Sequence, residues 1–150
     1  MGSRKVRNIT TEKTTLDKVI HLFPGICAYG SQYITLGKNV SFNNYCHVTA
    51  TKESPIIISD DVLIGPFVVI NTGDHGFEKL DVKIRDQEYK RGTIFIGKDV
   101  WIGASSVILR GSIIPDKCVI GSLSRVSRNS KLLPGHIYAG NPLRLLGFRK

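Results

Sequence analysis

The chain has 150 residues, room for one domain (1–150), and its 41% hydrophobic and 22% charged residues are the balance of an ordinary globular protein. No apolar run approaches the roughly 20 residues that cross a bilayer, and the polar stretch from Met1 to Lys18 lacks the apolar core of a signal peptide, so a cytoplasmic protein without a membrane span is expected. The net charge of +9 suits a polyanionic partner, but the basic residues fall into small clusters (Arg4–Arg7, Lys90–Arg91, Arg125–Lys131, Arg144–Lys150) with no nucleic-acid-binding motif, so no nucleic-acid partner is expected.

Along the chain, a six-residue recurrence dominates. A loose copy starts at Leu36 and runs through Phe42 and Val48, with Val40 and Cys46 four residues after the first two. A second set follows at Ile58, Ile64 and Ile70, with Val62 and Val68 as companions. From Ile96 the recurrence is regular: Ile96, Ile102, Ile108, Ile114, Ile120, Val126 and Leu132, each of the first six followed four residues on by Val100, Ser106, Ser112, Cys118, Ser124 or Ser130. Strand side chains alternate faces, and six is even, so residues six apart share a face. The companion lies two residues before the next aliphatic and points the same way. Each hexad is therefore one short strand with an inward pair and a turn. No hexad buries its own face alone, so the hexads must stack into a parallel β-helix. On a helical wheel a six-residue spacing drifts around all sides. The regular coils span about 36–133.

Between inward pairs the side chains point out: His47, Leu63 and Val69 upstream, then Trp101, Val107, Ile113, Val119, Arg125 and Lys131. Four consecutive apolar residues on that outer phase, Trp101 to Val119, need a cover, either the C-terminal tail or a neighbouring subunit. The three cysteines, Cys27, Cys46 and Cys118, are odd in number and lack CxxC spacing, which fits buried reduced thiols and neither a disulfide framework nor a zinc site. After Ile70 the repeat breaks into a charged excursion loop (about 75–93) before it resumes at Ile96. The companion slot holds Asp74, and His75 falls on the outward phase. Insertions in solenoids map to loops that often carry the binding face.

The segments ISDDVLIGPFVVINTGDHGFE, IFIGKDVWIGASSVIL and LPGHIYAGNPLRLLGFRK, in that order, resemble the galactoside, maltose and polysaccharide O-acetyltransferases of the hexapeptide-repeat group. The resemblance covers about residues 36–149. It implies an all-β fold, a left-handed parallel β-helix with an inserted loop after Ile70 and a C-terminal tail, packed as a homotrimer. It implies acetyl-CoA as acetyl donor, a carbohydrate acceptor, no metal, and His75 as general base. Histidine suits that role because its ordinary pKa lies near neutrality. The backbone N–H of Ala104 would lie near the thioester, where an oxyanion needs donors, and Trp101 would line the acceptor and thiol region. Asn44 is an acceptor-binding candidate. Carried over position by position, Ser122, Ser127, Arg128 and Arg144 would bind CoA. Asp74, Glu78 and Glu88 are the candidates to orient the imidazole. Thr51, Lys52 and Glu53 stand where galactoside-type members carry an acidic pair, and the NTGDHGF context is closer to enzymes that decorate capsule or O-antigen. The expected reaction is therefore O-acetylation of an envelope polysaccharide or its precursor. A non-catalytic β-helix assembly subunit and an amino-sugar N-acetyltransferase are the alternatives. A γ-type carbonic anhydrase would need three convergent histidines, and His21, His47, His75 and His136 are widely spread.

Overall fold

A computed structural model describes residues 19–22, by backbone alone, and 25–150. The Arg4–Arg7 cluster and the side chain of His21 lie outside the described residues. Short strands repeat around three faces. Face A carries β1 (Val19–Leu22), β4 (Val40–Phe42), β7 (Leu63–Ile64), β12 (Trp101–Ile102), β15 (Val119–Ile120) and β17 (His136–Ala139). Face B carries β2 (Cys27–Tyr29), β5 (His47–Thr49), β8 (Val69–Asn71), β13 (Val107–Leu109) and β16 (Arg125–Val126). Face C carries β3 (Ile34–Leu36), β6 (Ile56–Ile58), β11 (Ile94–Ile96) and β14 (Ile113–Ile114). Neighbours on each face pair in parallel, so the chain climbs one rung per circuit. β1, β2 and β3 stack on the same three faces, so the coils begin before Leu36.

The predicted inward pairs form the core. Ile58, Ile64, Ile70, Ile96, Ile102, Ile108, Ile114, Ile120 and Val126 are buried, as are the companions Val62, Val68, Val100, Ser106, Ser112, Cys118 and Ser124. The small polar companions stay satisfied because a corner carbonyl lies within reach of each. Ser106 Oγ donates to Gly121 O at 3.0 Å, Ser124 Oγ to the same oxygen at 2.6 Å, and Cys118 Sγ to Leu133 O at 3.1 Å. Burial pushes the Cys46 and Cys118 thiols up from their ordinary pKa, which keeps them protonated. Tyr138 extends the inward series six residues beyond Leu132, pairs with Ile120 in register, and takes a hydrogen bond on its hydroxyl from Leu133 N.

The corners follow one rule. Two turn positions per circuit place a non-glycine residue in the left-handed region. Asn39, Asp61, Asp99 and Lys117 do so between faces C and A, and Tyr45, Phe67, Ser105 and Leu123 between faces A and B. From β2 onward, every insertion between successive coils falls at the corner between faces B and C. The regular coil step is 18 residues (Phe95 to Ile113, Val107 to Arg125, Val119 to Ile137). Cys27 to His47 is 20, Ile34 to Ile56 is 22 and Ile56 to Ile94 is 38, so 2, 4 and 20 residues are inserted. They form the short turn at Ser31–Tyr33, the Thr51–Ser54 bridge and the excursion loop. The latter two are joined below the surface by the buried contact of Ser54 Oγ with Thr72 Oγ1. Thr72, not Asp74, fills the inward slot after Ile70, because the chain turns out of the coil two residues earlier than the hexad phase requires.

β18 (Arg144–Phe148) turns back antiparallel along β17 and lengthens face A at its edge. It does not lie over the outer apolar residues. Leu63 and Trp101 remain 55% and 53% exposed, and Ile113 63%. Of the two covers considered for these residues, the tail is not the one. Among the described residues no helix is long and apolar enough to cross a membrane.

Candidate functional site

His75 stands on the excursion loop beside a two-rung antiparallel ribbon, β9 (Gly73–Asp74) against β10 (Lys90–Arg91). Tyr89 fixes it. The His75 and Tyr89 rings meet edge to face, with centroids 5.2 Å apart and planes at 85°. The Tyr89 ring in turn lies on Gly73, where a Cβ would come within 2.3 Å of it, and Arg91 caps the ring at 5.2 Å. Gln87 ties the loop tip by accepting from Lys79 N and donating to the carbonyls of Lys79 and Val82. The imidazole itself is exposed.

The three carboxylates considered as orienting groups are used differently. Asp74 accepts a hydrogen bond from Arg110 Nε at 2.7 Å, an ion pair that clamps the root of the loop to the next coil. Glu78 pairs with Lys90, which holds its carboxyl below the usual range. Glu88 gives its backbone carbonyl to Gly76 N. Among the described residues none of them hydrogen-bonds the His75 ring. Arg110 and Tyr89 were not legible in the sequence, since nothing in its spacing links position 74 to 110 or 75 to 89.

Ala104 lies on the opposite edge of face B, at the A–B corner. In this corner column, Asn44 N is held by the Asn43 side chain at 2.7 Å and Pro66 has no N–H. Ser105 N and Leu123 N donate to Pro66 O and Ala104 O of the coil below. The amides of Ala104 and Ser122 have no acceptor among the described residues. Bare glycines sit against both: a Cβ on Gly65 would lie 2.8 Å from Ala104 N, and one on Gly103 2.5 Å from Ser122 N. Two backbone donors are thus left open in successive coils. Trp101 projects from face A three residues before Ala104, and Asn44 lies two coils below it on the same edge.

Ser127 and Arg128 follow β16, at the B–C corner, where the Arg128 Cβ approaches the place a Cβ on Gly111 would take at 3.0 Å. Ser127 and Arg144 line an open hollow of about 390 Å3 at the last coil, together with Arg125, Lys131 and Tyr138. Arg125 and Lys131 are additions to the expected set, and three cations around one hollow suit a phosphate-bearing ligand. Of the expected residues, His75, Ser127 and Arg128 occupy the B–C edge and Asn44, Ala104 and Ser122 the A–B edge, with the width of face B between them, while Trp101 lies on face A and Arg144 on its added strand β18.

A hexapeptide-repeat acetyltransferase from Vibrio cholerae superposes on 91% of this chain and 77% of its own, with a TM-score of 0.68 and 30% identity. The chain belongs to the hexapeptide-repeat acetyltransferases. In its complex with acetyl coenzyme A the same Vibrio protein superposes with a TM-score of 0.71 at 28% identity, covering 91% of this chain and 75% of that one. The stacked coils are accordingly the left-handed parallel β-helix of this family. Galactoside O-acetyltransferase of Escherichia coli strain K12 is 31% identical over 128 residues, 82% of this chain and 57% of that protein. A protein of the same strain named for O-acetyl transfer in lipopolysaccharide biosynthesis is 26% identical over 126 residues, 79% of this chain and 62% of its own length. The chain spans between 31% and 64% of the length of the curated relatives it matches. No family model matches the chain. Among the described residues no three His, Cys, Asp or Glu side chains gather as a metal-ligating group.

Proposed function

We propose that this chain transfers the acetyl group of acetyl-CoA to a sugar hydroxyl, in the building of a cell-envelope polysaccharide, as a homotrimer with His75 as general base. The observation that carries the reading is the open Ala104 amide at a glycine-lined corner, on the opposite edge of face B from an exposed imidazole held by its own loop. One chain keeps the two apart. A second copy that sets its B–C edge against this A–B edge brings them together, and the exposed apolar residues of faces A and C, Trp101, Leu63, Phe95 and Ile113, supply surface for that packing. The Vibrio relative's complex with acetyl-CoA and the O-acetyl transfer named for the Escherichia coli relatives support the reaction class.

In this reading the His75 imidazole takes the proton of the acceptor hydroxyl as its oxygen attacks the thioester carbonyl carbon. The negative charge that develops on the carbonyl oxygen is met by the Ala104 N–H. The C–S bond then breaks, the CoA sulfur takes the proton back from the imidazolium, and the acetyl ester leaves on the sugar. Ser122, one coil above Ala104, continues the row of open amides along the path of the CoA arm. Arg125, Lys131 and Arg144 offer the phosphates charge at the last coil. Thr51, Lys52 and Glu53, where galactoside-type members carry an acidic pair, support an envelope glycan over a galactoside as acceptor, and Glu53 lies 4.0 Å from Arg91 of the excursion loop.

The test is thiol release from acetyl-CoA in the presence of a panel of sugars, nucleotide sugars and envelope oligosaccharides. Wild type releases thiol with at least one acceptor, and His75→Ala lowers the rate about 10²–10⁴-fold while CoA still binds. Absence of both CoA binding and thiol release would overturn the proposal.

A further inference from the structure

We propose that Tyr45 and Phe67 form a stacking platform for a pyranose ring of the acceptor, on the edge of the solenoid that carries Ala104. This rests on the acetyl-transfer reading. Both residues sit at the A–B corner with φ of 59°, a left-handed backbone that Asn and Asp adopt more readily than an aromatic residue. The C–A corner obeys that preference, with Asn39, Asp61 and Asp99 at three of its four such positions. The A–B corner does not, and the core gains nothing from the exchange, because Tyr45 and Phe67 remain 57% and 55% exposed. Instead their rings stack on each other, with centroids 5.3 Å apart and planes within 15°.

The stack has one open end. Tyr45 is backed by Gly25, where a Cβ would come within 2.4 Å of its ring, so the outer face of the pair belongs to Phe67. Above Phe67 the same column narrows to Ser105 and then widens again to Leu123, 73% exposed. The result is a notch floored by the Phe67 ring, backed by the Ala104–Ser105 turn and roofed by Leu123. Phe67 and Leu123 are two strand spacings apart, about 10 Å, which admits one flat ring. Aromatic floors bind the C–H face of a sugar and leave its hydroxyls free at the rim. A pyranose resting there turns a hydroxyl toward the Ala104 amide.

The test compares wild type with the double variant Tyr45→Asn, Phe67→Asn, which removes the platform and relieves the left-handed corners, so folding is preserved. Maltopentaose and CoA are titrated separately, and the oligomeric mass of each protein is measured. Wild type binds maltopentaose, the double variant binds it about tenfold more weakly or worse, and CoA affinity and mass are unchanged. Equal maltopentaose binding by both proteins overturns the platform, as does CoA binding without any sugar binding in wild type. A fall in mass of the double variant also overturns it, by showing the rings to be a subunit contact. If wild type fails to bind CoA, it is the transferase reading that fails.

Discussion

Pro66 and Ala104 occupy the same corner in successive coils, each after a glycine and before a residue with left-handed φ, Phe67 and Ser105. One has no N–H and the other has an N–H that donates to nothing among the described residues. The backbone at this corner thus accepts proline already. Ala104→Pro is expected to fold with wild-type stability, since no internal hydrogen bond is lost, and to bind CoA, while kcat falls about a hundredfold or more from loss of an oxyanion donor. Circular dichroism melting and thiol-release kinetics check both halves, and a variant of full activity would show that the amide plays no part. At this scale the sequence was partly transparent. Ala104 and His75 could be placed through the hexad phase and the resemblance. Tyr89 and Arg110, which hold His75 and its loop, could not, because an inserted loop has no period to count from.

Strands of two to five residues carry this fold, and none is stable alone. Their stability comes from the stacked aliphatic columns, and so the six-residue period was enough to name most of the buried side chains, though not Ile34, Ile56 and Ile94 on face C. Its limits were the corners. The period does not say which corner takes an insertion, and all three insertions went to the one between faces B and C. Nor does it show that β1 to β3 join the stack, because the turn at Ser31–Tyr33 sets Ala28 two residues out of the phase that Leu36 keeps. The column makes a quantitative expectation. Ile102 is fully buried between Ile64 and Ile120, and Ile102→Ala should cost about 3 kcal/mol by the loss of buried volume. Urea denaturation at a fixed protein concentration measures it, and a cost below about 1 kcal/mol would mean the column relaxes around the cavity.

For the whole molecule, the decisive fact is that one chain holds its proposed catalytic pieces on two edges. The C-terminal strand lengthens face A and leaves Trp101, Leu63 and Ile113 uncovered, which the sequence could not distinguish from tail coverage. The proposed homotrimer would resolve both facts together, by covering the apolar faces and setting the His75 loop of one subunit against the Ala104 corner of the next. Subunit complementation tests this directly. His75→Ala and Ala104→Pro are each expected to be inactive. Mixed, unfolded and refolded together in equal amounts, they should recover about a quarter of wild-type thiol release, because random assembly pairs an intact His75 edge with an intact Ala104 edge at one site in four. Mixed proteins that stay as inactive as either parent, while assembling into oligomers of wild-type mass, would contradict a site shared between subunits.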